Sequence, residues 1–404
     1  MMMIFNNHIK RTLLNEYAGS EKKKTVILDD GYKYLLKFPD PTREKDLVLS
    51  YINNAISEYV ACQIFASTGM AVQDTILGEY ITDTGSTKIA CACKDVRRPG
   101  ETMYEINKLE LSSLENIYAK TLSLEYMNEV FKKMSDIIPE YELKSFYYDM
   151  FIIDALVGNT DRHNGNWAIL ESEDGVRISP VYDCGSSLSP LVDEKYMNQQ
   201  DGEKCAMDTS SVLKDENGKK LKYFNFFADD KNLSQDIKDA LKRMIPKINL
   251  KKIDNIIYST PYISDNRKDF YFGFVHTSYE RILLPAFEKS LNVSKHVEKY
   301  TPKECYDFYK QVIEPIKMTA TYERQHLGDT EFTFSKAGNS HAIIYKKDIP
   351  ISVISCRSNN RETRLNIQKF TDLSIHKNFV FQKDKIEKDK SIEDIQRYDD
   401  EFEI

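Results

Sequence analysis

The chain has 404 residues, 41% hydrophobic and 29% charged, a composition that excludes a disordered protein and a length that points to two or three domains or lobes. The formal net charge is −7, and no Lys/Arg-rich stripe stands out, so a direct nucleic-acid partner is not expected. No run approaches the roughly 20 apolar residues of a membrane span, the N-terminus lacks the apolar core of a secretory signal, and the seven cysteines include no Cys-x-x-Cys pair; a cytoplasmic protein with reduced thiols is expected, although secretion by a route without such a signal would leave no mark here.

Residues 25–38 read as a β-hairpin. Two β-prone runs, TVIL and YKYLLKF, flank Asp29-Asp30-Gly31, a strong hairpin-turn signal. Residues 52–69 then carry helical periodicity, with Ile52, Ile56, Tyr59, Val60 and Ile64 near one face, Asn53 or Asn54 as the start and Gly69 as the stop. Strands are expected over 71–81 and 87–96, the latter holding Cys91 and Cys93. Hairpin, helix and further strands make a small sheet with one packed helix.

After Pro99-Gly100 the pattern turns helical across 108–160, clearest at 141–158, where Phe146, Met150, Ile153 and Val157 fall at spacings of three and four. NTDRHNGNW (159–167) breaks it as a loop. WAIL (167–170) and VRISPVYD (176–183) read as a short hairpin. Residues 184–230 look polar and irregular, and helices resume near 234–258 and 267–289. Beyond about 295 the segments EFTFS, HAIIYKK, IPISVISC and TRLNIQKF read as strands of a small α/β or mostly-β appendage. The last 22 residues hold nine acidic and five basic side chains, the texture of a peripheral tail.

The chemistry concentrates in the loop after the long helix. Asp161 and Asn166 stand five apart, the Asp-x-x-x-x-Asn spacing of protein-kinase catalytic loops. A carboxylate there can orient and deprotonate an attacking hydroxyl while the amide oxygen meets Mg²⁺, which prefers hard oxygen donors. Asp183 follows a predicted hairpin, which returns the chain to its start and brings a second carboxylate to the same point. An Asn-rich turn with capping aspartates is the competing reading. His163 reads as a loop-holding residue rather than a phospho-acceptor or metal ligand; Arg162 either binds a phosphorylated group or braces the loop through Asp154 or Asp183. Upstream, Lys37 ends an apolar strand and Glu58 lies in the next helix, the lysine–glutamate arrangement that positions ATP phosphates in kinases; a solvated strand end and an exposed helix glutamate are the bland alternative. Ala18-Gly19-Ser20, followed by three lysines, reads either as a phosphate-covering loop or as a basic turn.

These residues carry a family resemblance. YAGSEKKKTVIL (17–28), YLLKFP (34–39), SEYVACQIFASTGM (57–70), DALVGNTDRHNGNW (154–167) and SPVYDCGSSLSP (179–190) resemble the HipA-like serine/threonine kinase family, in particular its compact members without the extra N-terminal subdomain, over about residues 10–290. The order Asp-Arg-His, reversed from the His-Arg-Asp of ordinary kinases, belongs to that family. The resemblance implies an α+β, two-lobed protein-kinase-like fold: a β-rich N-lobe (1–98), a mainly helical C-lobe (99–294) and an appendage of open role (295–404). It implies Lys37 as the ATP-binding lysine held by Glu58, residues 91–96 with Cys91, Cys93 and Asp95 as the adenine-reading hinge, Asp161 as catalytic base, and Asn166 and Asp183 as magnesium ligands. Ser20 lies near the family's phosphate-loop serine, which in some members is autophosphorylated.

The expected activity is ATP- and Mg²⁺-dependent transfer of the γ-phosphate to a Ser or Thr hydroxyl of a protein, with toxin, secreted effector and housekeeping roles all open and an antitoxin or other regulatory partner among the expectations. A small-molecule or lipid kinase of the same fold, and a pseudokinase scaffold binding a partner through the appendage, are the alternatives.

Overall fold

The computed structural model describes residues 3–14, 23–39, 54–113, 122–291, 300–328 and 330–372. Ser20 lies outside the described residues, as do the start of the helix expected from 52 and the charged tail. The chain divides into two compact units, Met1–Leu283 and Leu284–Ile404. Among the described residues no helix is long and apolar enough to cross a membrane.

The first unit opens with an antiparallel sheet. Strands β1 (Ile9–Thr12), β2 (Lys23–Leu28) and β3 (Lys33–Lys37) are followed by helix α1 (Asn54–Ser67) and then β4 (Thr75–Ile81) and β5 (Thr87–Lys94). The spatial order is β1-β2-β3-β5-β4, so β5 is inserted between its predecessors. The β2–β3 turn forms at the expected Asp-Asp-Gly, with Gly31 at φ +81 and Asp30 accepting from the Tyr32 N–H and the Tyr34 hydroxyl. Side chains alternate across a strand. One face therefore collects Val26, Leu28, Tyr34, Leu36, Ala90 and Ala92 in a core with Phe5, Phe38 and Tyr80. The opposite face carries Lys37, paired in register with Cys91. Residues 71–74, expected to extend β4, make only an isolated bridge, Val72 with Val181, which ties the sheet to the strand segment that precedes Asp183.

The rest of the unit is mainly helical. A short strand β6 (Thr102–Glu105), not expected from sequence, leads into α2 (Ile106–Ser113). Helices α3 (Leu124–Lys133) and α4 (Glu140–Val157) follow, α3 capped by the Ser123 side chain and α4 ended by Gly158 in the left-handed region, φ +63. The predicted hairpin forms as β7 (Ala168–Ser172) and β8 (Gly175–Ile178), with β6 on its outer edge.

The segment read as irregular, 184–230, contains α5 (Gln199–Asp208), β9 (Ser210–Lys214), β10 (Lys220–Lys222) and α6 (Tyr223–Ala228). Its polarity hid these elements because α5 buries so few large apolar side chains: it packs through Gly202, where an added Cβ would sit 2.1 Å from the Phe270 carbonyl oxygen. Helices α7 (Gln235–Met244), α8 (Leu250–Ser259) and α9 (Asp265–Thr277) complete this part, close to their expected places.

In the second unit, α10 (Leu284–Ser290), α11 (Pro302–Phe308) and α12 (Glu314–Thr319) precede an antiparallel sheet of β11 (Gln325–His326), β12 (Phe332–Ala337), β13 (His341–Lys346) and β14 (Ile349–Ser355). Phe332, Phe334, Ile344 and Ile354 form its core with Phe308, Ile313, Ile367 and Phe370. TRLNIQKF, expected as a strand, lies in helix α13 (Asn360–Asp372). Thr363, Asn366, Ile367 and Phe370 are buried at helical spacings of three and four, which the apolar count alone does not separate from alternation. Asn366 closes the open edge of β14: its amide oxygen accepts from the Ser355 N–H at 3.0 Å and its NH₂ donates to the Ser355 carbonyl at 2.6 Å, the two bonds a further strand would make.

Candidate active site

Three side chains from three separate elements meet at the end of β3. Lys37 Nζ lies 2.8 Å from Glu58 Oε2 and 2.8 Å from Asp183 Oδ1. Glu58 is 0% exposed. Burial by itself would push the Lys37 ammonium toward neutrality, but the carboxylates of Asp183 and Glu58 hold its pKa well above the ordinary lysine value. Burial likewise works to raise the Asp183 carboxyl, and the charge and hydrogen bond of Lys37 outweigh it, leaving the pKa at about 2.

The other Glu58 oxygen, Oε1, accepts from the backbone N–H of Cys184 at 3.1 Å. The helix carboxylate thus grips both the lysine and the residue after Asp183. Gly185 comes next, and a Cβ there would sit 3.0 Å from Glu58 Oε2, so only glycine fits without displacement. Asp183-Cys184-Gly185 resembles the Asp-Phe-Gly signature of kinases, a signal legible in the sequence. Asp183 has φ +56, a left-handed conformation that aspartate tolerates better than most residues and that is typical of backbone held at functional sites.

The loop bearing Asp161 is organised by Arg162. Its guanidinium, 4% exposed, binds fully buried Asp154 of α4 through Nε (3.0 Å) and Nη2 (3.2 Å). Nη1 donates to the carbonyls of Asn166 (2.8 Å) and Tyr182 (2.5 Å). One nitrogen therefore ties the Asn166 backbone to that of the residue before Asp183. This settles the two readings of Arg162 in favour of bracing, and through Asp154. Tyr182 adds a hydroxyl bond to the Gly165 carbonyl at 3.1 Å. His163 holds the loop as expected, although it does so as an acceptor: the Gly165 N–H donates to Nδ1 at 3.0 Å.

Asp161 and Asn166 are locked to each other. The Asn166 NH₂ donates to the Asp161 carbonyl at 2.8 Å, which leaves its amide oxygen as the free acceptor. The Asp161 carboxylate is 52% exposed. Burial raises its pKa and the Asp183 charge adds to the rise, with His163, Lys220 and Arg162 opposing. Among the described residues no group of three or more His, Cys, Asp or Glu side chains could hold a metal ion. Mg²⁺ in nucleotide sites needs fewer protein ligands: one or two carboxylates, with phosphates and water supplying the rest. Asp183, with one oxygen on Lys37, and Asn166, with its NH₂ committed, fit that donor set.

The expected hinge is corrected in part. Cys91 and Cys93 lie within β5, which is paired with β3 on one side and β4 on the other, so their backbone groups belong to the sheet ladder. They are buried thiols whose sulfurs lie 3.8 Å apart. The Asp95 N–H is committed to the Lys33 carbonyl at 2.9 Å and its carboxylate to Arg97 at 2.7 Å. A cavity of about 610 Å³ is lined by Asp95, Lys33, Asp74, Arg97 and Arg177 among others; none of Lys37, Glu58, Asp161, Asn166 and Asp183 reaches it.

The chain matches the HipA-like C-terminal domain over residues 16–251. It is 34% identical over 292 residues to the serine/threonine-protein kinase CtkA of Helicobacter pylori, covering 69% of this chain and 86% of that protein. The crystal structure of the H. pylori proinflammatory kinase CtkA superposes with a TM-score of 0.58 at 32% identity, over 67% of this chain and 94% of that one. A weaker likeness, TM-score 0.44 and 16% identity over 70% of this chain and 68% of that one, is to the Shewanella oneidensis MR-1 toxin–antitoxin complex of HipA, HipB and operator DNA. The chain belongs to the HipA-like C-terminal domain family and is one of its kinases.

Proposed function

We propose that the chain transfers the γ-phosphate of ATP to a Ser or Thr hydroxyl of a protein in a Mg²⁺-dependent reaction. The observation that carries the proposal is the joint engagement of Lys37 by Glu58 and Asp183, each at 2.8 Å: an active protein kinase requires both its lysine–glutamate pair and its metal-binding aspartate in place.

In this reading Lys37 contacts the ATP phosphates and Glu58 fixes its position. Asp183 and the free amide oxygen of Asn166 would hold Mg²⁺, which when bound neutralises the phosphate oxygens. Asp161 orients the acceptor hydroxyl and takes its proton as the oxygen attacks the γ-phosphorus; the bond from that phosphorus to the bridging oxygen breaks, and ADP leaves. Half-exposed Asp161 is accessible to a protein hydroxyl, and its raised pKa improves it as a base over an ordinary carboxylate. The support is the convergence of the three groups together with the kinase relatives.

The test is incubation of the purified chain with γ-labelled ATP, a protein acceptor mixture and either Mg²⁺ or EDTA, with phosphates located by mass spectrometry. Label on Ser or Thr that requires Mg²⁺ is expected. Label absent under both conditions, or found only on small molecules, would contradict the proposal.

A further inference from the structure

The β9–β10 ribbon carries an arrangement that folding alone does not favour. Lys220 of β10 stands directly opposite Lys214 of β9 in register, and both side chains are exposed. Like charges at directly opposed positions destabilise a strand pair. Lys219 and Lys222 flank them, also exposed. Lys222 is neutralised by Asp208 at 2.9 Å, and Asp215 in the turn is occupied by the backbone N–H groups of Asn217 and Lys219. Among the described residues neither Lys214 nor Lys220 forms an ion pair on the ribbon, in a chain whose net charge is −7.

The ribbon is fastened to the catalytic loop. Buried Tyr223, which follows β10, donates its hydroxyl to the Asn159 carbonyl at 2.7 Å, two residues before Asp161. The charge of Lys220 is among those that oppose the rise of the Asp161 pKa. A protein whose hydroxyl reaches Asp161 therefore meets this positive face with the residues around that hydroxyl.

We propose that the outward face of the β9–β10 ribbon docks an acidic segment of the protein substrate, so that the enzyme selects Ser or Thr hydroxyls flanked by Asp and Glu. The inference rests on the kinase reading above and adds the class of acceptor. Substrate carboxylates complete the like-charge pair.

The decisive variant is Lys214→Glu. It turns the opposed lysines into an ion pair and leaves Lys220 in place. Three fluorescent peptides are compared, sharing one Ser with Asp/Glu, Ala or Arg flanks; phosphotransfer is followed, and binding is read separately by anisotropy at low and high salt. Wild type is expected to prefer the acidic peptide. In Lys214→Glu the KM and Kd for that peptide rise roughly three- to tenfold, the scale of losing one or two exposed charge contacts, while its kcat and the Ala-peptide parameters hold and the melting temperature stays or rises. Lys214→Ala gives the same direction with a smaller effect. No acidic preference in wild type, an equal loss on all three peptides, or tighter binding of a single-stranded oligonucleotide than of the acidic peptide would overturn the proposal. Lysine-dependent binding of the acidic peptide without phosphotransfer would uphold the docking face and sink the kinase reading, so the two failures are distinguishable.

Discussion

Lys37 Nζ donates to Asp183 Oδ1 across 2.8 Å, joining residues 146 positions apart. The bond closes a circuit: Asp183 is followed by Cys184, whose N–H holds Glu58, and Glu58 holds Lys37. Lys37, Glu58 and Asp183 are therefore one charged unit.

Removing the cation of that unit has a predictable cost. Lys37→Met leaves Glu58 as a buried carboxylate without its counter-charge, and stability should fall by about 3–5 kcal/mol, as when one partner of a buried ion pair is deleted. Adding Glu58→Gln to the same chain should recover much of the loss while activity stays absent. Urea denaturation of the two variants checks this; equal stability of the single and double variants would contradict it.

The acid limb of stability should report Asp183. Its folded-state pKa of about 2 lies below the roughly 3.9 of an unfolded aspartate. A depressed carboxyl contributes stability that is fully present above the unfolded value and is lost as pH falls toward the folded one. The Asp183→Asn variant should show a shallower loss of stability than wild type between about pH 4 and pH 2. Lys37 is shifted the other way, well above its ordinary value, so its contribution persists through neutral pH and is lost only at strongly alkaline pH. Acid titration monitored by circular dichroism makes the comparison.

The brace of the catalytic loop should be intolerant of a smaller cation. Arg162→Lys cannot reproduce four bonds to Asp154, Asn166 and Tyr182 from one planar group. Deleting the charge altogether in Arg162→Met leaves Asp154 buried alone, a loss of about 3–5 kcal/mol. Thermal denaturation should rank wild type above Arg162→Lys and both above Arg162→Met; an Arg162→Lys protein as stable and active as wild type would show that the brace does not organise the site.

Close packing of α5 on α9 gives a purely steric prediction. Gly202→Ala would place a Cβ 2.1 Å from the Phe270 carbonyl oxygen, and overpacking of this kind typically costs about 1–3 kcal/mol. The melting temperature should fall, with the KM for ATP little changed in the folded fraction.

The site was more legible in the sequence than the fold around it. Lys37, Glu58 and Asp183 meet as the sequence reading expected, and Asp161 and Asn166, singled out by their spacing, are bonded to each other. For Arg162 the sequence offered bracing through Asp154 or Asp183 as well as phosphate binding, and only the burial of Asp154 within α4 decides for that residue. Cys91 and Cys93 lie in the strand that the local pattern predicted; it was the resemblance that put them in a hinge, and their pairing with both β3 and β4 is not a local signal. Helix α13 was read as a strand because eight residues with scattered apolar positions suit both periods. Helix α5 was missed because its packing face is a glycine and backbone contact rather than an apolar stripe.

The central claim is that Asp161 performs chemistry while Lys37, Asp183 and Asn166 handle the metal–nucleotide. Mg²⁺–ATP affinity and the single-turnover rate of phosphotransfer, measured side by side in wild type and Asp161→Asn, test it most directly. The account predicts a rate lower by about 10²–10⁴ with affinity within roughly twofold of wild type, an energy difference under 0.5 kcal/mol. Phosphotransfer at the wild-type rate in Asp161→Asn would contradict it.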